Sequence, residues 1–439
     1  MEYYFDDPTD DTDSADIPKL GYAREFAAEI RRPDGSVVPA DFIIGSGLYG
    51  RAPDPVASGP CPLPAGVAFP LDPAVTAQQV EDGSASLRDF TLAARERLNL
   101  EIGAGQYLYN LCLIRQEGGP YRSGSTYLVQ LTPDRRVYVH AKQMALSGRR
   151  LKASVYTAIL TALGVTPADL AKLRSTDPAI RGAALAALNN LLSQEPDGPF
   201  DGARFGVPGA SGHATSYFSN QLGVPTLLLA GFDLNETHLD EEVIDYGDPA
   251  ITASEVVDRE TLKAFVGEAG KYYLSLFQTE GRASSTKSRV ALRDPNGPWR
   301  HGSVYLYVLD LTSNTILVHG AFPDRYELRP LVATVRDVVT GELILPQVIE
   351  AAKSNPEGGF VEYYFDDPSD DTDSADIPKV GYARQFKGEL PRADGTVLPI
   401  DVIIGSGFYG RAPDDVTAGP CPLPAGVAFP LDPAVTAQQ

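Results

Sequence analysis

The sequence predicts an α+β fold in which antiparallel sheets pack against long helices. Three observations support this prediction. Strand-like runs are separated by long amphipathic helical runs, so the hydrophobic period changes repeatedly along the chain. Residues 361–439 repeat residues 1–79 at an offset of 360 positions, with 17 differences. The two halves of the 360-residue unit are also related, since Gly124–Leu128 matches Gly302–Leu306.

So long a period is typical of a tandem array of domains rather than a short-repeat solenoid. The chain holds one whole repeat and the beginning of the next, and we expect it to be a segment of a longer periodic polypeptide. Each 360-residue repeat is predicted to contain two related modules. The predicted segments are half of a preceding module at 1–50, a proline-rich connector at 51–83, a first module at 84–245, a second module at 246–410 and the next connector at 411–439.

Residues 1–50 alternate short apolar runs with turn-forming residues. They predict strands at Glu2–Phe5, Leu20–Glu29 and Val37–Gly45, with an acidic loop after the first strand and a Pro-Asp-Gly turn before the third. Residues 361–409 repeat this pattern and are predicted to form the same three strands at the end of the second module.

In the first module, Ser84 is placed to cap a helix whose apolar residues continue to about Arg115. Two strands follow, Ser125–Leu131 and Arg136–Ala141, and then an Ala- and Leu-rich helical region at 154–193 that prolines divide. Strand-like patches return at 204–232.

The second module repeats this order. A long helix is predicted from Ser254 to Gln278, and a loop from Gly281 to Gly302. Strands Ser303–Leu311 and Thr315–Gly320 and a helix at Pro346–Lys353 then lead into the repeated strands.

The chain carries a net charge of -21, from 58 acidic and 37 basic residues. This balance argues against nucleic acid and anionic membrane surfaces as partners, because both are bound by basic patches. No run of about 18 apolar residues occurs, so the sequence predicts no membrane span in this segment.

Each full repeat contains two cysteines, represented here by Cys61 and Cys112. An even number of cysteines per repeat is typical of an oxidising, extracytoplasmic setting, and we predict a Cys61–Cys112 disulfide. The alternative is a pair of buried free thiols. Cys421 is the second copy of Cys61, and its natural partner would lie beyond Gln439.

In the second module a long helix feeds a hairpin, a short helix follows, and three strands close the sheet. The segments that carry this pattern are Tyr305–Val308, Thr315–Gly320, Val348–Lys353, Gly358–Phe365, Lys379–Arg384 and Ile403–Tyr409. Over about 160 residues the module resembles a Cache domain, the PAS-like extracytoplasmic sensor module of bacterial receptors. The first module is a more divergent relative. The membrane helices and signalling domain that normally accompany Cache domains do not occur in this sequence, and the loop Asp366–Asp376 is longer and more acidic than is usual.

The resemblance implies an antiparallel sheet with helices on one face and the other face left for a ligand or partner. Residues 361–409 would supply the last three strands of the second module. Residues 1–49 are the same strands without the first half of a module, and alone they would expose a sheet edge. We therefore expect a preceding repeat or a neighbouring copy to complete them by strand complementation.

A small-molecule pocket is the usual feature of the family and would lie on the concave face of the second sheet. An arginine among aromatic residues can hold a carboxylate ligand. The alternative is that the tyrosines fill the core with their hydroxyls at its rim. The candidate residues are Trp299, Tyr305, Tyr307, His319, Arg325, Tyr363 and Tyr382.

The acidic loop concentrates oxygen ligands of the kind that calcium prefers. Its spacing is not that of an EF-hand, since the turn glycine and the distal glutamate are missing. Calcium is a candidate cofactor here, and the alternative is a solvated acidic loop. The candidate ligands are Asp6, Asp7, Asp10, Asp11, Asp13 and Asp16, repeated as Asp366, Asp367, Asp370, Asp371, Asp373 and Asp376.

Catalysis is not predicted. The histidines show no metal-binding spacing, and no nucleophile elbow, phosphate loop or dinucleotide fingerprint occurs in the sequence. The first hypothesis is a structural segment of an extracellular filament or giant repeat protein, whose partners are neighbouring copies of the same repeat. The second is an extracytoplasmic or periplasmic sensor module for an amino- or carboxylic-acid ligand.

Overall fold

The computed structural model describes residues 73–409, except for 100–103, 208, 220–223, 330, 332–333, 338, 370–376 and 392–396. It also describes Cys61 and three strands near the start of the chain. These strands are β1 (Glu2–Tyr4), β2 (Pro18–Arg31) and β3 (Val37–Tyr49), which pair as an antiparallel sheet in the order β1-β2-β3.

The first module begins with three helices, followed by three strands, three more helices and three further strands. The helices are α1 (Ala77–Glu81), α2 (Leu87–Asn99), α3 (Ala104–Arg115), α4 (Ala153–Ala162), α5 (Pro167–Leu173) and α6 (Pro178–Leu192). The strands are β4 (Arg122–Ser123), β5 (Thr126–Leu131), β6 (Val137–His140), β7 (Asp197–Asp201), β8 (Ser211–Ser219) and β9 (Val224–Ala230).

The second module starts with a 22-residue helix, which Asp258 caps by accepting the backbone N–H of Thr261. Its helices are α7 (Arg259–Glu280), α8 (Ser284–Arg293), α9 (Pro323–Tyr326) and α10 (Ile344–Ser354). Its strands are β10 (Tyr307–Asp310), β11 (Thr315–His319), β12 (Gly359–Phe365), β13 (Ile377–Pro391) and β14 (Val397–Tyr409).

Apart from the short strand β4, which pairs with β5 in the first module, the two modules have the same sheet topology. In the second module the antiparallel order is β11-β10-β14-β13-β12, so the strands run second, first, fifth, fourth, third. In the first module, β6 pairs with β5, and the order continues through β9 and β8 to β7, which is the same permutation. The predicted α+β class is thus confirmed, and the arrangement is compatible with a PAS- or Cache-like sheet.

The repeated block forms the same strand pairs in both of its copies. Lys379 lies opposite Tyr409 in the second copy, and Lys19 lies opposite Tyr49 in the first. In the second copy the sheet extends further, because β14 also pairs with β10, with Tyr307 opposite Gly405. Within the strands that the structure describes, β3 pairs only with β2. The first copy therefore reproduces three strands of a five-stranded sheet.

The structure describes two helical segments, α2 and α3, within the long helix predicted from Ser84 to Arg115, and residues 100–103 between them lie outside the described residues. One predicted loop differs from the structure. The loop predicted at 281–302 contains helix α8. The buried face of α8 is largely polar, so it lacks the apolar period that identifies a helix in sequence.

The polar face of α8 joins the two modules. Arg289 donates to the carbonyl of Tyr138 at 3.0 Å, and Arg293 donates to the carbonyls of Met144 and Ser147 at 2.9 and 2.8 Å. Both arginines also pair with Glu327, whose side chain is fully buried. Buried charges of this kind require partners on all sides, so the network holds the modules in one relative position.

The predicted disulfide is present. Cys61 and Cys112 are bonded, with their Cα atoms 5.9 Å apart, and Cys112 lies in α3. The bond fastens the proline-rich connector to the first module. Cys421 lies outside the described residues. Among the helices described, none is long and apolar enough to cross a membrane.

Helices cover both faces of the second sheet, although the sequence predicted a layer on one face. We call the side packed against α7 the α7 face. Its buried residues include Phe265, Val402 and Ile404. The side packed against α10 is the cavity face, and its buried residues include Val348 and Ile403. The face expected to be open is therefore covered.

The ring of Phe386 on β13 packs closely against Gly270 of helix α7. A Cβ atom added there would lie 2.0 Å from the ring of Phe386, whereas one added at Gly267 on the same helix would meet nothing within 4 Å. Phe386 thus occupies the space that a side chain at position 270 would need.

We predict that Gly270→Ala lowers the free energy of unfolding by about 1–3 kcal/mol, because the Phe386 ring must move. The matched change Gly267→Ala should stabilise the protein by up to about 1 kcal/mol, because alanine has the higher helix propensity. Urea denaturation of the two variants measures both effects. Similar changes of the same sign would contradict the close packing of Phe386 on α7.

Candidate functional site

A small cavity lies in the second module between the cavity face of the sheet and helix α10. Its volume is about 40 Å³. Apolar and aromatic side chains form most of its wall. They are Tyr305, Tyr307, Ile316, His319, Tyr326, Leu331, Val335, Ile344, Leu345, Val348, Tyr363 and Phe365.

Four of the seven predicted ligand-binding residues line this cavity: Tyr305, Tyr307, His319 and Tyr363. Arg325 pairs with Asp366, with Nη1 3.5 Å from Oδ2, and lies against the ring of Tyr326. The predicted arginine is thus close to the cavity wall but already has a carboxylate partner.

The other two predicted residues belong to the α7 face of the sheet. Trp299 is buried, stacks on Tyr272 with ring centroids 5.1 Å apart, and donates from Nε1 to the carbonyl of Tyr246. Tyr382 packs in the same cluster, and its hydroxyl donates to the carbonyl of Glu357. Both have structural partners in the core, and the structure does not bring them to the cavity.

Lys379 on β13 is the cationic group beside the cavity. Its side chain is buried, and Nζ donates to the hydroxyls of Tyr305 at 2.8 Å and Tyr409 at 3.2 Å. It lies 4.0 Å from the ring centroid of Tyr305 and 5.4 Å from that of Phe365. In the part of the chain that the structure describes, Lys379 forms no ion pair with a carboxylate within 4.0 Å. Burial lowers its pKa to about 7, although Asp367 acts in the opposite direction.

The Gly-Ser-Gly sequence at 405–407 makes room for these groups. A Cβ at Gly405 would lie 2.2 Å from the hydroxyl oxygen of Tyr307, and one at Gly407 would lie 2.6 Å from Cε of Lys379. Between them Ser406 donates to the carbonyl of Tyr305 at 2.7 Å. The two glycines therefore allow Tyr307 and Lys379 to lie flat on β14.

Two polar side chains in the cavity wall, His319 and Tyr307, are uncharged. Burial lowers the pKa of His319 well below its usual value, and Lys379 adds to the shift, so the imidazole is neutral. Its Nδ1 accepts the backbone N–H of Phe322 at 3.0 Å. Burial raises the pKa of Tyr307 far above 10. Among the residues described, its buried hydroxyl has no hydrogen-bond partner.

The acidic loop is described only at its first two candidate ligands. Asp366 pairs with Arg325, and Asp367 accepts from the backbone N–H and hydroxyl of Ser369. No group of three metal-ligating side chains occurs within the described ranges. The remaining candidate ligands lie outside the described residues: Asp370, Asp371, Asp373 and Asp376, and Asp6, Asp7, Asp10, Asp11, Asp13 and Asp16.

Sequence reasoning missed Lys379, Phe365 and Tyr409. Lys379 carried one usable signal, because it directly precedes the predicted strand that begins at Val380 and is repeated as Lys19. A lysine at the end of an acidic loop is usually exposed, so the signal does not by itself identify a buried group.

Comparison with known proteins gives little additional information. No protein-family model matches the chain, and no curated protein matches it. Among solved structures, the chain is similar to a methyl-accepting chemotaxis protein from Vibrio parahaemolyticus RIMD 2210633, with 18% sequence identity. That similarity covers 34% of this chain and 86% of the other, with a TM-score of 0.26. So low a TM-score does not establish a shared fold.

We predict that Lys379 makes stability depend on pH above neutrality. Its pKa is about 7 in the folded protein and 10.5 ordinarily, so the unfolded chain binds more protons between these values. Burial of the charged ammonium therefore lowers the free energy of unfolding by its full amount below pH 7, and this destabilisation decreases as the pH rises above 7. Lys379→Met should flatten the rise in unfolding free energy between about pH 7 and pH 9.

Chemical denaturation at several pH values measures this slope. Lys387→Met is the matched control, because Lys387 lies on the same strand and is exposed. The control should keep the wild-type slope. Equal slopes for Lys379→Met and the wild-type protein would show that the ammonium is not buried as described.

Proposed function

We propose that this chain is a segment of an extracellular filament or giant repeat protein whose units join by strand complementation. In this proposal residues 1–50 complete the sheet of a module built like residues 246–360, supplied by a neighbouring repeat. One observation carries the proposal. The same block pairs in the same register twice, once inside a five-stranded sheet and once as three strands.

The second copy indicates what such strands contribute. Val402, Ile403 and Ile404 on β14 are at most 1% exposed and belong to the cores on both faces of the sheet. Fully burying one such side chain contributes about 1.5–3 kcal/mol. A module without these strands would expose both of its cores and the edge of β10, and this supports a partner that supplies them.

Polar contacts add specificity to the same pairing between the repeated strands and the rest of the second module. The backbone N–H of Tyr364 donates to Asp337 at 2.8 Å, and Ser406 donates to the carbonyl of Tyr305. The first copy has a serine at the equivalent position, Ser46, and a residue with a backbone N–H, Tyr4, at the position of Tyr364. Residues 1–50 can therefore form the same hydrogen bonds when they bind a module of this kind.

The disulfide supports a continuous assembly. The connector that follows β3 is bonded to α3 through Cys61 and Cys112, and the arginines of α8 join the first module to the second. A load on one unit would then pass to the next through a disulfide and buried contacts. An extracellular location is part of the proposal, because disulfides persist in oxidising compartments.

We predict that a chain ending at residue 360 polymerises head to tail. Its second module lacks β13, β14 and all but the first two residues of β12, and residues 1–50 of another copy should fill the vacant place. The full chain, which fills its own second module, should not form such polymers. Light scattering after size-exclusion chromatography and negative-stain microscopy measure the difference.

Ile44→Asp in the truncated chain is the control. Its equivalent, Ile404, is fully buried, so a carboxylate there should prevent insertion and abolish the polymers. The proposal fails if the truncated chain is folded and monomeric, or if Ile44→Asp polymerises equally well.

We propose as a second candidate function that the chain is an extracytoplasmic sensor module that binds an amino- or carboxylic-acid ligand. The buried ammonium of Lys379 favours this function, as does the buried hydroxyl of Tyr307, which has no hydrogen-bond partner among the described residues. An anionic group between them would balance the charge of Lys379 and accept a hydrogen bond from the hydroxyl of Tyr307. The cavity of about 40 Å³ has space for about three waters, far below the 300–1,000 Å³ of drug-sized sites. A ligand would therefore be a very small carboxylate unless α10 moves.

We predict, for this second candidate, that millimolar acetate raises the melting temperature of the full chain at pH 6–7, where Lys379 carries more charge. Lys379→Met should abolish the increase, and Lys387→Met should retain it. Alanine tests whether the cavity opens for an amino acid. No shift with acetate or alanine would exclude ligand binding at this cavity.

A further inference from the structure

A cleft between the two modules encloses more space than the small cavity beside Lys379. Its volume is about 490 Å³, which lies within the roughly 300–1,000 Å³ of small-molecule sites. Residues of both modules line it. Its charged lining residues are Arg149, Glu242, Arg293, Asp294, Arg300 and Asp324.

The three carboxylates of the cleft already accept hydrogen bonds within the protein. Glu242 accepts from both terminal nitrogens of Arg136. Asp294 accepts from the hydroxyl of Tyr246, and Asp324 accepts a backbone N–H of the first module at 3.2 Å. Each carboxylate therefore has a donor of its own outside the arginines of the cleft.

The three arginines of the cleft differ in their partners. Arg293 is fully engaged, because Glu327 accepts from its Nε and Nη2, and carbonyls of the first module accept from its Nη1. Within the described ranges, the side chain of Arg149 makes no hydrogen bond or ion pair. Arg300 donates from Nη1 to the carbonyls of Arg293 and Gly320, but no described carboxylate lies within 4.0 Å of its guanidinium. The cleft thus contains two cations without a paired anion, one from each module.

Arg300 has a counterpart, Arg122, in the first module. Both follow Gly-Pro and an aromatic residue, and both lie seven positions after another arginine. Like Arg300, Arg122 donates from Nη1 to two carbonyls, those of Arg115 and Ala141, at 3.4 and 3.2 Å. Ala141 and Gly320 each follow the histidine of their hairpin, so the carbonyl partners of the two arginines are equivalent.

The two arginines differ in their third partner. Nη2 of Arg122 also pairs with Glu117, 3.6 Å from Oε1. The residue at the position of Glu117 in the second module is Pro295, which has no charged group and lines the cleft. Burial lowers the pKa of Arg300, so the charge of its guanidinium is only partly compensated. A bound anion would restore the partner that the second module lacks.

We propose that the cleft binds a small organic anion with two negative charges, a dicarboxylate or a phosphate ester, between Arg149 and Arg300. Guanidinium groups bind carboxylate and phosphate oxygens through paired hydrogen bonds, and both arginines lie in one cleft. Because they belong to different modules, the ligand would hold the two modules together. The site is separate from the cavity beside Lys379, and it does not depend on strand complementation.

Isothermal titration calorimetry of the full chain at pH 7, with succinate and with inorganic phosphate, tests this site. At least one probe should bind with one site per chain, and the tighter of the two identifies the ligand class. Arg149→Gln should weaken binding at least about tenfold, because it removes a charge-assisted hydrogen bond. The control Arg181→Gln changes an exposed arginine on α6 and should leave the affinity unchanged. The proposal is wrong if neither probe binds, or if Arg149→Gln binds as tightly as the wild-type chain.

Pro295→Glu gives an independent answer for Arg300. It places a carboxylate where Glu117 stands in the first module, so it should compete with the ligand and weaken binding at least about tenfold relative to Pro295→Gln. Pro295 is exposed, so neither change should disturb folding. Equal affinities of these two variants would overturn the role of Arg300. Lys379→Met should bind the probes like the wild-type chain, and a loss of binding there would assign the anion to the small cavity instead.

Discussion

The structure of the second module depends on the antiparallel pairing of β14 with β10. This pairing joins the helix–hairpin half of the module, residues 246–360, to the repeated strands. Each side supplies what the other lacks: β10 provides a strand edge, and β13 and β14 provide the apolar residues that close the cores on both faces. In the proposed assembly, a segment from another repeat completes such a sheet.

Buried charge connects this sheet to the rest of the unit. Glu327 accepts the backbone N–H of His319 on β11 and pairs with Arg289 and Arg293 of α8. Those arginines in turn bind carbonyls of the first module. The cavity wall, the second sheet and the contact between modules therefore share one hydrogen-bonded network. Removing a single partner would leave a buried charge unpaired, so the network favours one arrangement of the two modules.

Much of the fold was predictable from local patterns. The positions of α7 and α10, the hairpin β10–β11 and the three repeated strands follow from apolar periodicity and turn residues, although α7 begins five residues after its predicted start. The disulfide followed from the cysteine count per repeat. Helix α8 was not predictable, because its buried face carries arginines whose partners in the first module lie about 140–150 positions away in sequence. Periodicity detects helices that bury apolar residues against nearby elements.

The sequence by itself determined the repeat, the α+β class, the disulfide and most of the aromatic residues around the cavity. Only the tertiary structure decided which face of the sheet each aromatic residue occupies. It placed Trp299 and Tyr382 against α7, and it buried Lys379 between Tyr305, which precedes β10, and Tyr409 of β14. The physical reason is that a strand pattern gives alternation between two faces, whereas the identity of each face depends on which helix covers it. That choice is made by long-range packing.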